Sequence, residues 1–122
     1  MKTILFIEDE SALQKTIGEI LSQEGYEVIS ALDGEVGLKL AKIKKPDLIL
    51  LDLILPKING FDVLKKLKEE AETKSIPIIV LTNLEGTEDV KEAIELGAQT
   101  YLVKTQYTLE EVVEKIKSAL GE

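Results

Sequence analysis

Apolar and polar positions alternate along this chain with two different periods. Ile4–Ile7, Tyr26–Ile29, Leu48–Leu51, Ile78–Leu81 and Tyr101–Val103 are short apolar runs. The first, third and fourth are apolar throughout, the pattern of strands covered on both faces of a parallel sheet. Between the runs the period lengthens to that of a helix. Leu13, Ile17, Ile20, Leu21 and Glu24 predict a first helix, with Ser11 and Gln14 as a capping box. Val36, Leu40 and Ile43 predict a second helix, and Phe61, Leu64, Leu67 and Ala71 a third. Val90, Ala93 and Ile94 mark a fourth, stopped by Gly97. A fifth opens on a capping box at Thr108–Glu111 and runs through Val112, Val113, Ile116 and Leu120.

The order is therefore βα, five times over. Five parallel strands with right-handed crossovers and helices on both faces make a doubly wound α/β sandwich. No linker, low-complexity tract or internal repeat interrupts the alternation. The 122 residues suit one domain, read as 1–122. A domain of this size buries roughly two-thirds of its unfolded surface, enough for a core without staples.

Composition narrows the chemistry. The chain has no cysteine, so disulfides and thiolate metal sites are excluded. It has no histidine, which removes the usual zinc ligands, Ser-His triads and self-contained phosphohistidine chemistry. A net charge of −8 argues against gripping nucleic acid or an anionic membrane. Four apolar residues precede Glu8-Asp9-Glu10, fewer than the ~7–15 of a secretory h-region. No run approaches the ~18–20 apolar residues of a membrane span, so a soluble cytoplasmic protein is expected.

One stretch, LILLDLILP at 48–56, sets a single carboxylate among seven aliphatic side chains. Burying it unpaired is costly, so Asp52 must reach water or meet a cation. The strand ends resolve the problem, with Asp52 expected to emerge at a strand end into a polar crevice rather than stay in the core. Ile4–Ile7 runs into Glu8-Asp9, Leu48–Leu51 into Asp52, Ile78–Leu81 into Thr82, and Tyr101–Val103 into Lys104. In an open parallel sheet all carboxyl ends lie on one rim, where ligands bind at the reversal of strand order. Each residue alone has an ordinary explanation. The acids after the first strand suit a helix start, Asp52 a turn completed by Pro56 and Asn59-Gly60, and Lys104 a solvated surface. Three acids, a hydroxyl and an amine converging on one rim are not explained one at a time.

At this point the pattern resembles the receiver domain of bacterial response regulators, the phospho-acceptor half of two-component signalling. The resemblance covers the whole chain. It rests on FIEDE at Phe6–Glu10, LDLILPKING at Leu51–Gly60, VLT at Val80–Thr82 and YLVK at Tyr101–Lys104. It implies a flavodoxin-like, CheY-like (βα)5 fold with sheet order 2-1-3-4-5. It implies phosphorylation of Asp52, with Mg²⁺ held by Glu8, Asp9, Asp52 and the backbone carbonyl of Ile54. Thr82 and Lys104 would meet the phosphoryl group, and Thr82 with Tyr101 would form the switch. The donor would be a sensor histidine kinase or phosphotransfer protein docking near Ala12, Leu13 and Thr16. A downstream output protein or domain would read the fourth helix, fifth strand and fifth helix. The chemistry agrees: crowded carboxylates favour a cation, Mg²⁺ suits an all-oxygen site, and an aspartate can carry an acyl phosphate.

Two features, Thr105 and Asn83, depart from the family pattern, and a further pair of residues bears on the phospho-form. Thr105 follows Lys104 where a proline, often cis, is usual, so a trans Lys104–Thr105 bond is expected. Asn83 replaces the small residue that usually follows the switch hydroxyl. Ile54 and Leu84 stand two residues after Asp52 and Thr82, where two aliphatics predict slow hydrolysis of the phospho-form. Two other classes compete with this reading, a receiver-like scaffold that is never phosphorylated and a flavodoxin-like cofactor carrier. The first is disfavoured by the complete acid, Thr and Lys set. The second lacks a hydroxyl- and glycine-rich phosphate loop after the first strand. There is no P-loop and no G-x-G-x-x-G.

Overall fold

A computed structural model describes all of Met1–Glu122. The elements are β1 Thr3–Ile7, α1 Ser11–Gln23, β2 Glu27–Ala31, α2 Gly34–Lys44, β3 Leu48–Leu51 and α3 Gly60–Glu69. They continue with β4 Ile78–Thr82, α4 Thr87–Glu95, β5 Thr100–Val103, a 3-10 turn at Lys104–Gln106, and α5 Leu109–Ala119. The sheet is parallel throughout, in the order β2-β1-β3-β4-β5. No helix is long and apolar enough to cross a membrane.

Side chains alternate across a strand, so each strand feeds two cores. Leu5, Ile7, Ile49, Leu51, Ile78 and Val80 pack with Val63, Leu64 and Leu67 of α3 and Ala93 of α4. Ile4, Phe6, Leu48, Leu50, Ile79 and Leu81 pack on the other face with α1 and α5. Every residue of β3 and β4 is buried, which is why those runs carry no polar alternation.

Helix ends follow local chemistry at most junctions. Thr108 and Glu111 form the capping box of α5 as predicted. Asn59 caps α3 by accepting from the Asp62 N–H, and Asp33 caps α2 by accepting from Val36. Gly97, at φ 113°, follows the end of α4.

Four expectations fail in detail. The Ser11–Gln14 box does not form, because Glu10 holds the N-cap position without a side-chain bond and Gln14 turns into the protein. Strand β2 starts one residue late and runs two further, leaving Tyr26 buried ahead of it. Ala71 is exposed beyond the end of α3. The supposed core faces of α2 and α4 are partly wrong, since Ile43 is 62% exposed, Ile94 46% and Val36 39%. Helix α2 buries Gly34, Gly37 and Ala41, with Gly34 against Ile58 and Val63 and Gly37 against Ile7 of the sheet. A Cβ on Gly37 would lie 2.7 Å from Ile7 Cδ1, so small residues set the approach while larger ones flank it.

Candidate functional site

Register brings the rim together. Ile7 pairs with Leu51, so Glu8 and Asp52 leave the sheet side by side. Thr82 pairs with Val103, which sets Lys104 one residue beyond the Thr82 hydroxyl. Glu8 is fully buried, Asp52 is 3% exposed, Thr82 is fully buried, and Asp9 is exposed. Glu8, Asp9 and Asp52 each offer one oxygen, and these atoms lie within 4.8 Å of one another. Asp52 therefore meets a cation after all: Lys104 Nζ donates to Asp52 Oδ2 at 3.1 Å. The same amine stands 2.8 Å from Glu8 Oε1. Sequence had placed Lys104 on the same rim, and the resemblance had assigned it to the phosphoryl group; its pairing with Glu8 was not foreseen, because only register and side-chain length decide it.

The electrostatics follow from burial. Burial, reinforced by Asp52, pushes the Glu8 carboxyl up to about 7, against the pull of Lys104 and the Glu10 N–H. For Lys104 burial works against the charge, but bonds to Glu8 and Asp52 outweigh it and hold its pKa above the usual lysine value. Glu8 Oε2 accepts from the Glu10 N–H at 3.0 Å, and Asp52 Oδ1 from the Ile54 N–H at 3.2 Å. Glu8 Oε1 is buried with no properly directed hydrogen bond, for the Lys104 contact is close but off-axis. Three clustered carboxylates, with no histidine or cysteine in the chain, form an all-oxygen donor set that fits a hard divalent cation.

The loop after Asp52 is tightly drawn. Ile58 N–H donates to the Pro56 carbonyl at 2.9 Å across Lys57, whose φ is +72°. That is the strained, positive-φ γ-turn, unusual for a residue with a side chain. Gly60 then returns against the strand end, its N–H donating to the Leu53 carbonyl at 2.9 Å. A Cβ there would come 2.4 Å from the Asp52 carbonyl oxygen.

On the far side, Thr82 Oγ1 lies 3.5 Å from the Leu84 N–H, a long contact that leaves the hydroxyl weakly engaged. Tyr101 is half-buried, and its hydroxyl donates to the Leu84 carbonyl at 2.8 Å. Burial first, then Asp89 and Asp52, raise the Tyr101 pKa to about 12, so it stays a donor. No peptide bond is cis, Lys104–Thr105 included, as the missing proline predicts. Asn83 is exposed beside this loop, and Ile54 is 52% exposed on the opposite wall.

Comparison with known proteins agrees with this geometry. The profile of the response regulator receiver domain matches residues 4–117. The DNA-binding dual master transcriptional regulator RpaA of Synechocystis is 38% identical over 98% of this chain and 49% of its own length. A CheY-like receiver domain protein from Methanospirillum hungatei superposes with a TM-score of 0.92 at 29% identity, covering 99% of this chain and 94% of that one. The receiver domain of the sensor histidine kinase PA1611 from Pseudomonas aeruginosa, solved with magnesium in its active-site cleft, gives 0.88 at 26% identity, over 99% and 98% of the two chains. The chain belongs to the response regulator receiver family, the phospho-acceptor domains of two-component signalling, and is a signalling domain rather than a conventional enzyme. It spans about half the length of the curated relatives it matches. That membership leaves the flavin-carrier alternative without support.

Proposed function

We propose that residues 1–122 act as one receiver in which Asp52 accepts a phosphoryl group from a phosphohistidine. The observation that carries this is Lys104, held between Asp52 and Glu8 on a rim that also presents Asp9 and Thr82. A carboxylate oxygen of Asp52 would attack phosphorus, the P–N bond to the donor imidazole would break, and an acyl phosphate would remain. Glu8, Asp9, Asp52 and the Ile54 carbonyl would hold Mg²⁺, which neutralises phosphoryl charge when bound. Lys104 then shifts its attention from carboxylate to phosphoryl oxygen, and the weakly engaged Thr82 hydroxyl supplies a further hydrogen bond.

The switch follows from the same contacts. Thr82 drawn toward the phosphate would pull on the Leu84 segment, which Tyr101 already grips through the Leu84 carbonyl. Surfaces of α4, β5 and α5 would change for a downstream output protein or domain. The donor, a sensor histidine kinase or phosphotransfer protein, would approach over α1 at Ala12, Leu13 and Thr16. A cavity of about 220 Å³ between α1 and α5, lined by Leu13, Asn83, Lys104 and Tyr107, supports that side. With a net charge of −8 and no spanning helix, the domain would work in the cytoplasm and touch neither nucleic acid nor membrane directly.

Hydrolysis of the phospho-form should be slow, because Ile54 and Leu84 bring no polar group to orient a water. Ile54→Asn should shorten the phospho-form's half-life; an unchanged half-life would refute the point. The reading as a whole is tested by intact-mass analysis with Mg²⁺ and a small phosphodonor. The expected result is a gain of one phosphoryl group in wild type and none in Asp52→Ala. Equal labelling of the two would place the acceptor elsewhere.

A further inference from the structure

Gln14 is the one long polar side chain that α1 turns into the protein, at 6% exposure. Its amide nitrogen lies 2.8 Å from the Phe6 carbonyl, 3.1 Å from that of Glu8 and 3.1 Å from that of Ala31. These oxygens belong to the last turn of β1, the acid-bearing loop and the end of edge strand β2. The Ala31 carbonyl also takes the Glu8 N–H at 2.9 Å. One amide therefore fastens both sides of the point where β1 gives way to the loop. It has two N–H hydrogens for three acceptors, so the grip is shared among them.

The amide satisfies buried carbonyls, although its own Oε1 is left buried without a partner. What glutamine adds is direction. The Glu8 carbonyl it holds sits on the residue whose Oε2 takes the Glu10 N–H and whose Oε1 faces Lys104. Fixing the main chain at Glu8 fixes where the Glu8 and Asp9 carboxylates stand relative to Asp52.

We propose that Gln14 is a positioning residue for the metal-binding acids, tying the Glu8–Glu10 loop to the ends of β1 and β2. This rests on the reading that Glu8, Asp9 and Asp52 hold a divalent cation. Groups behind first ligands commonly change metal affinity by about 10–100-fold when removed.

The test titrates wild type, Gln14→Met and Leu21→Val with MgCl₂ by calorimetry, and follows hydrogen exchange at the Glu8 and Glu10 amides by NMR. Leu21 lies on the same helix in the core, away from the loop, and its truncation controls for general loss of stability. Gln14→Met should bind Mg²⁺ about 10-fold more weakly and exchange faster at both amides, while Leu21→Val leaves both readings near wild type. Affinity in Gln14→Met within about twofold of wild type, or a loss matched by Leu21→Val, would overturn the role. Should Gln14→Met not fold, the same readings on Gln14→Glu, which keeps the shape but gives up the amide donors, decide the matter. Absence of Mg²⁺ binding in wild type would remove the metal site and the role together; wild-type binding untouched by the substitution removes the role alone.

Discussion

The two ends of the sheet each gather charged side chains and treat them in opposite ways. At the carboxyl end Glu8 and Asp52 are buried, share one amine, and leave a carboxylate oxygen without a directed partner. At the amino end Lys2 donates to the Leu120 carbonyl at 2.7 Å and faces Glu122 at 3.8 Å. Tyr26 donates to Glu122, and Lys117 pairs with Glu24. Apart from the buried Tyr26, those side chains are partly exposed, and they satisfy one another. The first arrangement stores unmet electrostatic demand that an incoming cation or phosphoryl group can answer. The second merely fastens α5 to the start of β1 and the end of α1.

The sharpest way to break this comparison is to remove the shared amine. Lys104→Met should lower stability by about 3–5 kcal/mol at pH 8 without divalent cation, since it leaves buried carboxylates uncompensated. Urea denaturation measures it, and added Mg²⁺ should return part of the loss. A loss as small as that of a surface pair would erase the distinction between the two ends.

Next comes pH. Glu8 titrates near 7 folded against 4.5 ordinarily, so the folded protein binds the extra proton between those values. Metal-free stability should therefore fall as pH rises from about 4.5 to about 7, by on the order of 3 kcal/mol. Glu8→Gln should flatten that slope in thermal melts at stepped pH. Smaller again is Lys57→Gly, which relieves the positive φ and should stabilise by about 0.5–1 kcal/mol in chemical denaturation. The amino end should respond least. Lys2→Met should cost no more than about 1 kcal/mol, and high salt should shrink even that.

Element order and the membership of the rim were legible because polar residues fall where each apolar run stops, while the sheet order came only from the resemblance to the receiver family. Asp52 illustrates this: its chemistry was readable from LILLD, while its actual partner depended on the reach of Lys104 past β4. What stayed hidden depends on how closely elements approach. Helix α2 buries Gly34, Gly37 and Ala41, residues with little hydrophobic signature, while Ile43 of the readable pattern faces solvent. Gln14 matched a capping box by spacing but found buried carbonyl acceptors across the chain, a competition that only the assembled ends of β1 and β2 can set up. The strain at Lys57 left no trace in composition, because a lysine there contradicts the local preference for glycine.

Gly60 touches the back of Asp52 so closely that a single added methyl would collide with the acceptor's own carbonyl. With no room for a side chain there, the first turn of α3 starts flush against the end of the central strand, and the placement of the helix is set by that strand.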